Sequence, residues 1–124
     1  MIKFVKSWKD NIFFVLVGPE ELGNIGASAR ALKNMGFKNL ELIKPASHVA
    51  NEARFMACNA VDILQQATIY STLEEAIKRK SLVIGTTRRL GKRRGLILPL
   101  KESLKRIIAT AKRNKIAILF GVRA

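Results

Sequence analysis

The sequence predicts an α/β fold, an open parallel sheet with helices on both faces. Three observations predict it. Apolar runs of strand length, Ile12–Val17, Leu82–Ile84 and Ile116–Phe120, are too continuous for strands with one wet face. Segments with helical spacing of apolar residues separate them. Gly18-Pro19, Pro45 and Pro99 punctuate the alternation.

Ile12–Val17 is short, β-branched and aromatic, and it runs into Gly18-Pro19, so it reads as a buried strand. Asn24 then caps a helix running to Met35. At about 100° per residue, Ile25, Ala29, Leu32 and Met35 gather on its inner side, while Gly26, Arg30 and Lys33 face away. Leu40–Ile43 is the second strand, entered through Gly36 and closed by Pro45. Residues 46–51 form a polar loop, and Glu52 to about Gln66 is helical with a break near Asn59. Thr68–Tyr70 is a short strand. Ser71-Thr72-Leu73-Glu74-Glu75 holds two overlapping capping boxes for a helix ending in Lys78-Arg79-Lys80. Leu82–Thr87 is a buried strand. Leu104, Ile107, Ile108 and Ala111 stripe a helix from about Lys101 to Arg113, and Ile116–Phe120 is the last strand. Met35 and Met56 are expected in the core.

A chain of 124 residues is read as one domain, residues 1–124. Hydrophobic content of 48% argues against disorder, and no apolar run reaches the roughly 20 residues of a membrane span. No secretory signal is apparent. The single cysteine, Cys58, excludes an intramolecular disulfide and fits a reducing, cytoplasmic location. His48 and Cys58 alone do not make a zinc site, so no metal is expected.

The formal net charge is +14 and it is uneven: residues 1–62 hold 8 basic and 6 acidic side chains, residues 63–124 hold 15 and 3. The field favours a polyanion, and with no membrane signal that polyanion is nucleic acid. The alternative is a lysine-rich composition without any partner, although such compositions usually raise Glu together with Lys. Five of the seven residues from Arg88 to Arg94 are cationic, which reads as a phosphate-tracking loop.

The segment Gly23-Asn24-Ile25-Gly26-Ala27-Ser28-Ala29-Arg30 lies at a strand-to-helix junction. Gly26 is costly in a helical turn by roughly 1 kcal/mol, which suggests close approach of a ligand or second subunit. By itself the segment equally reads as an ordinary cap, a tolerated glycine and a solvated arginine. A phosphate-binding loop is disfavoured because Walker chemistry needs Lys then Ser or Thr after the last glycine, and Ala27-Ser28 follows Gly26. In parallel sheets ligands bind beyond the carboxyl ends of the strands, where Gly23–Arg30, Thr86–Gly95 and Gly121 should gather.

These residues resemble the SpoU-type branch of the SPOUT superfamily, S-adenosylmethionine-dependent RNA ribose 2′-O-methyltransferases with a trefoil-knotted α/β fold. The first family motif, Asn-x-Gly-small-x-x-Arg, is matched by Asn24, Gly26, Ala27 and Arg30. The cofactor-loop segment is similar to Leu82–Arg88 followed by Pro99-Leu100, and the second motif begins as Ile118-Leu119-Phe120-Gly121. The details are most similar to TrmJ-type tRNA and rRNA cytidine/uridine methyltransferases. Where the family continues with Arg or Ser, Glu and a Gly-Leu pair, this sequence has Val122-Arg123-Ala124. The resemblance therefore implies the N-terminal part of a catalytic domain, with the knot-forming C-terminal part missing and an apolar edge exposed.

The resemblance further implies Arg30 and Asn24 as catalytic residues, with Thr86, Thr87, Arg88 and Gly121 at the S-adenosylmethionine site. Arg89, Lys92, Arg93 and Arg94 would bind tRNA or rRNA, and the full-length domain would be a homodimer. The second reading is a non-catalytic RNA-binding module, and the third a nucleotide-binding domain of Rossmann type.

Overall fold

A computed structural model describes residues 7–19, 22–45, 56–86 and 99–121. Five strands, β1 (Ile12–Val17), β2 (Asn39–Ile43), β3 (Thr68–Tyr70), β4 (Leu82–Gly85) and β5 (Ile116–Phe120), form one sheet in the order β3-β2-β1-β5-β4. Every neighbouring pair is parallel. The helices are α1 (Leu22–Asn34), α2 (Val61–Gln66), α3 (Leu73–Ile77) and α4 (Leu100–Ala111), with 3-10 turns at Trp8–Asn11 and Cys58–Ala60. The sequence expectation of a parallel α/β sheet holds, and the break expected near Asn59 is the second 3-10 turn.

β1 is apolar throughout because it is the central strand. Ile12 is in the cluster under α4 with Ile107, Ala111 and Ile116, and Phe14 and Leu16 pack against the cluster of Ile25, Ala29 and Leu32 under α1. Val15 joins Ala76, Ala117 and Leu119 on the opposite face, beneath α3. Both faces are thus covered, the second by the five-residue α3, and Val83 on that side stays 39% exposed. Thr72 caps α3, accepting from the Glu75 N–H at 3.3 Å while its hydroxyl donates to the Glu75 carboxylate at 3.1 Å.

Several local expectations are corrected. Asn24 is not the cap of α1, because the helix starts at Leu22 and Asn24 is its third residue. Gly26 is buried and does not share the open surface of Arg30, although the helical spacing places the two on the same side of α1. Met35 and Met56 are exposed, at 66% and 41%. Met35 follows the last helical turn, where Gly36 (φ +83°) turns the chain into β2, so the inward stripe ends at Leu32. Leu104 is also exposed, leaving Ile107 and Ala111 as the buried contacts of α4.

Candidate functional site

In an open parallel sheet ligands bind beyond the carboxyl ends of the strands. Here β1 is the central strand, with β2 and β3 on one side of it and β5 and β4 on the other. The tips of β1 and β5 both end in glycines with left-handed backbones, Gly18 at φ +60° and Gly121 at φ +88°. The Gly18 N–H donates to the Ile43 carbonyl at 2.8 Å, which carries the β1–β2 ladder one residue past the strand. Gly121 approaches β1 so closely that a Cβ there would stand 3.1 Å from the Val17 carbonyl oxygen. Only a residue without a side chain keeps the two tips this close.

Thr86 is held at the same edge. Its N–H and its hydroxyl both donate to the Leu119 carbonyl, at 3.2 and 3.1 Å, fixing the exit of β4 beside the tip of β5. One residue, Phe120, separates Leu119 from Gly121, so the structure brings Thr86 and Gly121 to adjacent strand ends. Thr87, Arg88, Arg89, Lys92, Arg93 and Arg94 lie outside the described residues.

α1 leaves this edge four residues after Gly18 and runs back along the sheet. Asn24 lies exposed in its first turn, and the Ser28 hydroxyl donates to the Asn24 carbonyl at 2.8 Å. Arg30 is exposed, about 9 Å farther along the axis at 1.5 Å per residue. The structure thus places its guanidinium on the solvent side of α1 and not among the buried residues. Lys33, on the same helix, is engaged differently: its ammonium donates to Asp62 at 3.0 Å and to the Asn59 carbonyl at 2.9 Å, tying α1 to α2. That pairing holds the Asp62 carboxyl below its ordinary range, chiefly through the hydrogen bond from Lys33.

A groove of about 380 Å³ opens on the α1 face of the sheet, lined by Phe14, Leu16, Ala31, Met35, Phe37 and Phe120 among others, with Ser28 contributing a polar group. Phe14 meets Phe37 edge-on at 5.0 Å and stacks with Phe120 at 6.2 Å. The groove offers apolar contact and little that could hold a charged ligand.

Sequence reasoning missed a second polar constellation, on the other face. Glu41, buried at 4% exposure in β2, has Oε1 at 3.0 Å from Lys80 Nζ and accepts at Oε2 from the Tyr70 hydroxyl at 3.2 Å. The Lys80 contact is ionic without hydrogen-bond alignment at Oε1, while the same ammonium donates to the Ala76 carbonyl at 2.9 Å. The signal was a carboxylate standing inside an apolar strand, Leu40-Glu41-Leu42-Ile43.

Comparison with known proteins gives one answer. The SpoU rRNA Methylase family matches residues 11–122. The tRNA (cytidine/uridine-2′-O-)-methyltransferase TrmJ of Escherichia coli is 38% identical over 111 residues, covering 90% of this chain and 45% of its own length. An uncharacterized tRNA/rRNA methyltransferase of Haemophilus influenzae is 36% identical over 112 residues, again 90% of this chain and 45% of the relative. The solved structure of a probable methylase family protein from Haemophilus influenzae superposes with a TM-score of 0.84 at 35% identity, covering 91% of this chain and 47% of that one. This chain therefore spans a little under half the length of these relatives. A family match across 112 positions, in a chain whose parallel sheet superposes on a solved methylase, decides the assignment: the chain belongs to the SpoU rRNA methylase family.

Proposed function

We propose that the chain is a domain of an S-adenosylmethionine-dependent RNA ribose 2′-O-methyltransferase acting on tRNA or rRNA in the cytoplasm. The observation that carries this reading is that Thr86 and Gly121 lie at adjacent strand ends next to β1, at the edge from which α1 leaves with the Asn24-x-Gly26-x-x-x-Arg30 pattern. The donor set fits the cofactor. Gly121 holds the tip of β5 close against β1 with its backbone at the strand end, and Thr86 with Thr87 and Arg88 would hold the cofactor's polar groups. When bound, the cofactor supplies a methyl group activated on a sulfonium.

The remaining work falls to the side chains. A guanidinium offers hydrogen-bond donors and no acceptor, so Arg30 would stabilise negative charge developing on the ribose 2′-oxygen and not remove the proton itself. Asn24 would orient the loop or the ribose. Arg89, Lys92, Arg93 and Arg94 would position the RNA backbone without reading its sequence. The exposed side of α1 that carries Arg30 would face a second copy of the protein, which would place Arg30 against the partner's cofactor.

Calorimetric titration with S-adenosylmethionine and a methyl-transfer assay on tRNA and rRNA transcripts test the reading. Arg30→Ala should lower transfer by about 100-fold or more, the scale of losing one oxyanion donor, and leave stability within about 0.5 kcal/mol because the residue is exposed. Salt-sensitive RNA affinity with neither cofactor binding nor transfer would instead identify a non-catalytic RNA-binding module.

A further inference from the structure

The edge of the sheet opposite the candidate active site carries its own concentration of positive charge. Two turns meet there: residues 78–81, entering β4, and residues 112–115, entering β5, joined by the Ser81 N–H donating to the Lys115 carbonyl at 2.8 Å. Beside them lies a cleft of about 360 Å³ whose walls include Lys78, Arg79, Lys115, Glu75 and Tyr70, with Phe13 and Glu41 also lining it.

Of the acidic groups of this cleft, Glu41 is matched by Lys80 and Tyr70, while Glu75 accepts from the neutral Thr72 hydroxyl and keeps its charge. Lys78, Arg79 and Lys115 are exposed and form no ion pair with any described residue, and the same holds for Lys112 and Arg113 in the adjoining turn. Lys115 is steered inward, with its ammonium 5.7 Å from the Phe13 ring centre. Five cations on two tethered turns, against the one uncompensated carboxylate of Glu75, leave the surface around this cleft net positive.

We propose that this amino-edge cleft is a second contact for the phosphodiester backbone of RNA, separate from the carboxyl-edge site. The inference rests on the RNA-substrate reading above and adds to it where a further stretch of the same molecule lies. The two edges are one strand length apart, about 17 Å for five residues at about 3.3 Å each, which a folded RNA spans easily. Contacts of this kind set register and affinity and carry no sequence information.

The test is the salt dependence of binding to a labelled tRNA transcript, measured by fluorescence anisotropy between roughly 50 and 200 mM KCl. Each phosphate contact contributes about 0.7 to 0.9 to the slope of log affinity against log salt, so Lys78→Ala/Arg79→Ala/Lys115→Ala should reduce the slope by about two to three. The charge-preserving Lys78→Arg/Lys115→Arg should retain it. An equal charge removal elsewhere, Lys101→Ala/Lys105→Ala/Arg106→Ala on exposed positions of α4, should change it by less than one. An unchanged slope in the cleft variant, or an equal fall in the α4 variant, overturns the proposal while leaving the RNA reading intact. Wild-type protein with no affinity for the transcript overturns both. An unchanged RNA slope with lost binding to phosphatidylglycerol vesicles would assign the cleft to a membrane surface and overturn it as well.

Discussion

Gly121→Ala tests whether the β1/β5 tip geometry is as tight as the structure shows. Two costs add. The backbone sits at φ +88°, where an L-residue is disfavoured by about 1–2 kcal/mol. The new Cβ would also stand 3.1 Å from the Val17 carbonyl oxygen, which belongs to a strand paired on both sides and cannot move without disturbing β2 or β5. The few tenths of an ångström of required displacement brings the expected loss to about 2–3 kcal/mol. Two glycines at the same edge calibrate it. Gly18 has φ +60° but nothing within 4 Å of a Cβ, so Gly18→Ala should cost only the backbone contribution of about 1–2 kcal/mol. Gly85 has neither constraint, so Gly85→Ala should lie within about 0.5 kcal/mol of wild type or slightly above it. Denaturant unfolding of the three variants gives the order directly. Calorimetry should show S-adenosylmethionine affinity falling most for Gly121→Ala. If Gly121→Ala were no more destabilising than Gly18→Ala, the close approach of the two tips would be refuted, and with it the argument for the cofactor cradle.

Two further outcomes are expected. Lys80→Ala leaves the Glu41 carboxylate, whose side chain like that of Lys80 is 5% exposed, without its counter-charge, so it should cost about 3–5 kcal/mol, whereas Glu41→Leu/Lys80→Met should recover most of that; the comparison is read from denaturant midpoints. Tyr70 is the only tyrosine, and burial, then repulsion from Glu41, raises its phenol above the ordinary value of about 10. A raised folded value means that the stabilising contribution is complete below the ordinary value and is lost as pH climbs through the folded one. Absorbance titration of the phenolate should therefore show ionisation delayed in the native protein, and Tyr70→Phe should flatten the alkaline loss of stability.

The strands were legible because their cause is local. Ile12–Val17 and Ile116–Phe120 have the bounds read from their apolar runs, and a strand buried on both faces needs no partner to be recognised as apolar. The capping pair Thr72 and Glu75 was legible for the same reason, since four consecutive residues contain the whole interaction. Helix entry was less so. Asn24 had the chemistry of a cap, but the start of α1 two residues earlier depends on how the chain leaves Gly18, and Met35 followed the helical spacing of the core into a turn where no neighbour covers it.

By itself, then, the sequence determined the succession of elements, the parallel class, the charge asymmetry and the motif residues, because each is set by side-chain type at short spacing. The gathering of Thr86 and Gly121 at the carboxyl edge was expected from the sequence, but only the tertiary structure decided the order β3-β2-β1-β5-β4, the close approach of Gly121 to Val17, and that Lys78, Arg79 and Lys115 line one cleft. It also decided that Glu41 meets Lys80 and Tyr70 across three elements. Those neighbours lie tens of residues apart in the chain, and pairing energies between distant strands, not local propensity, bring them together.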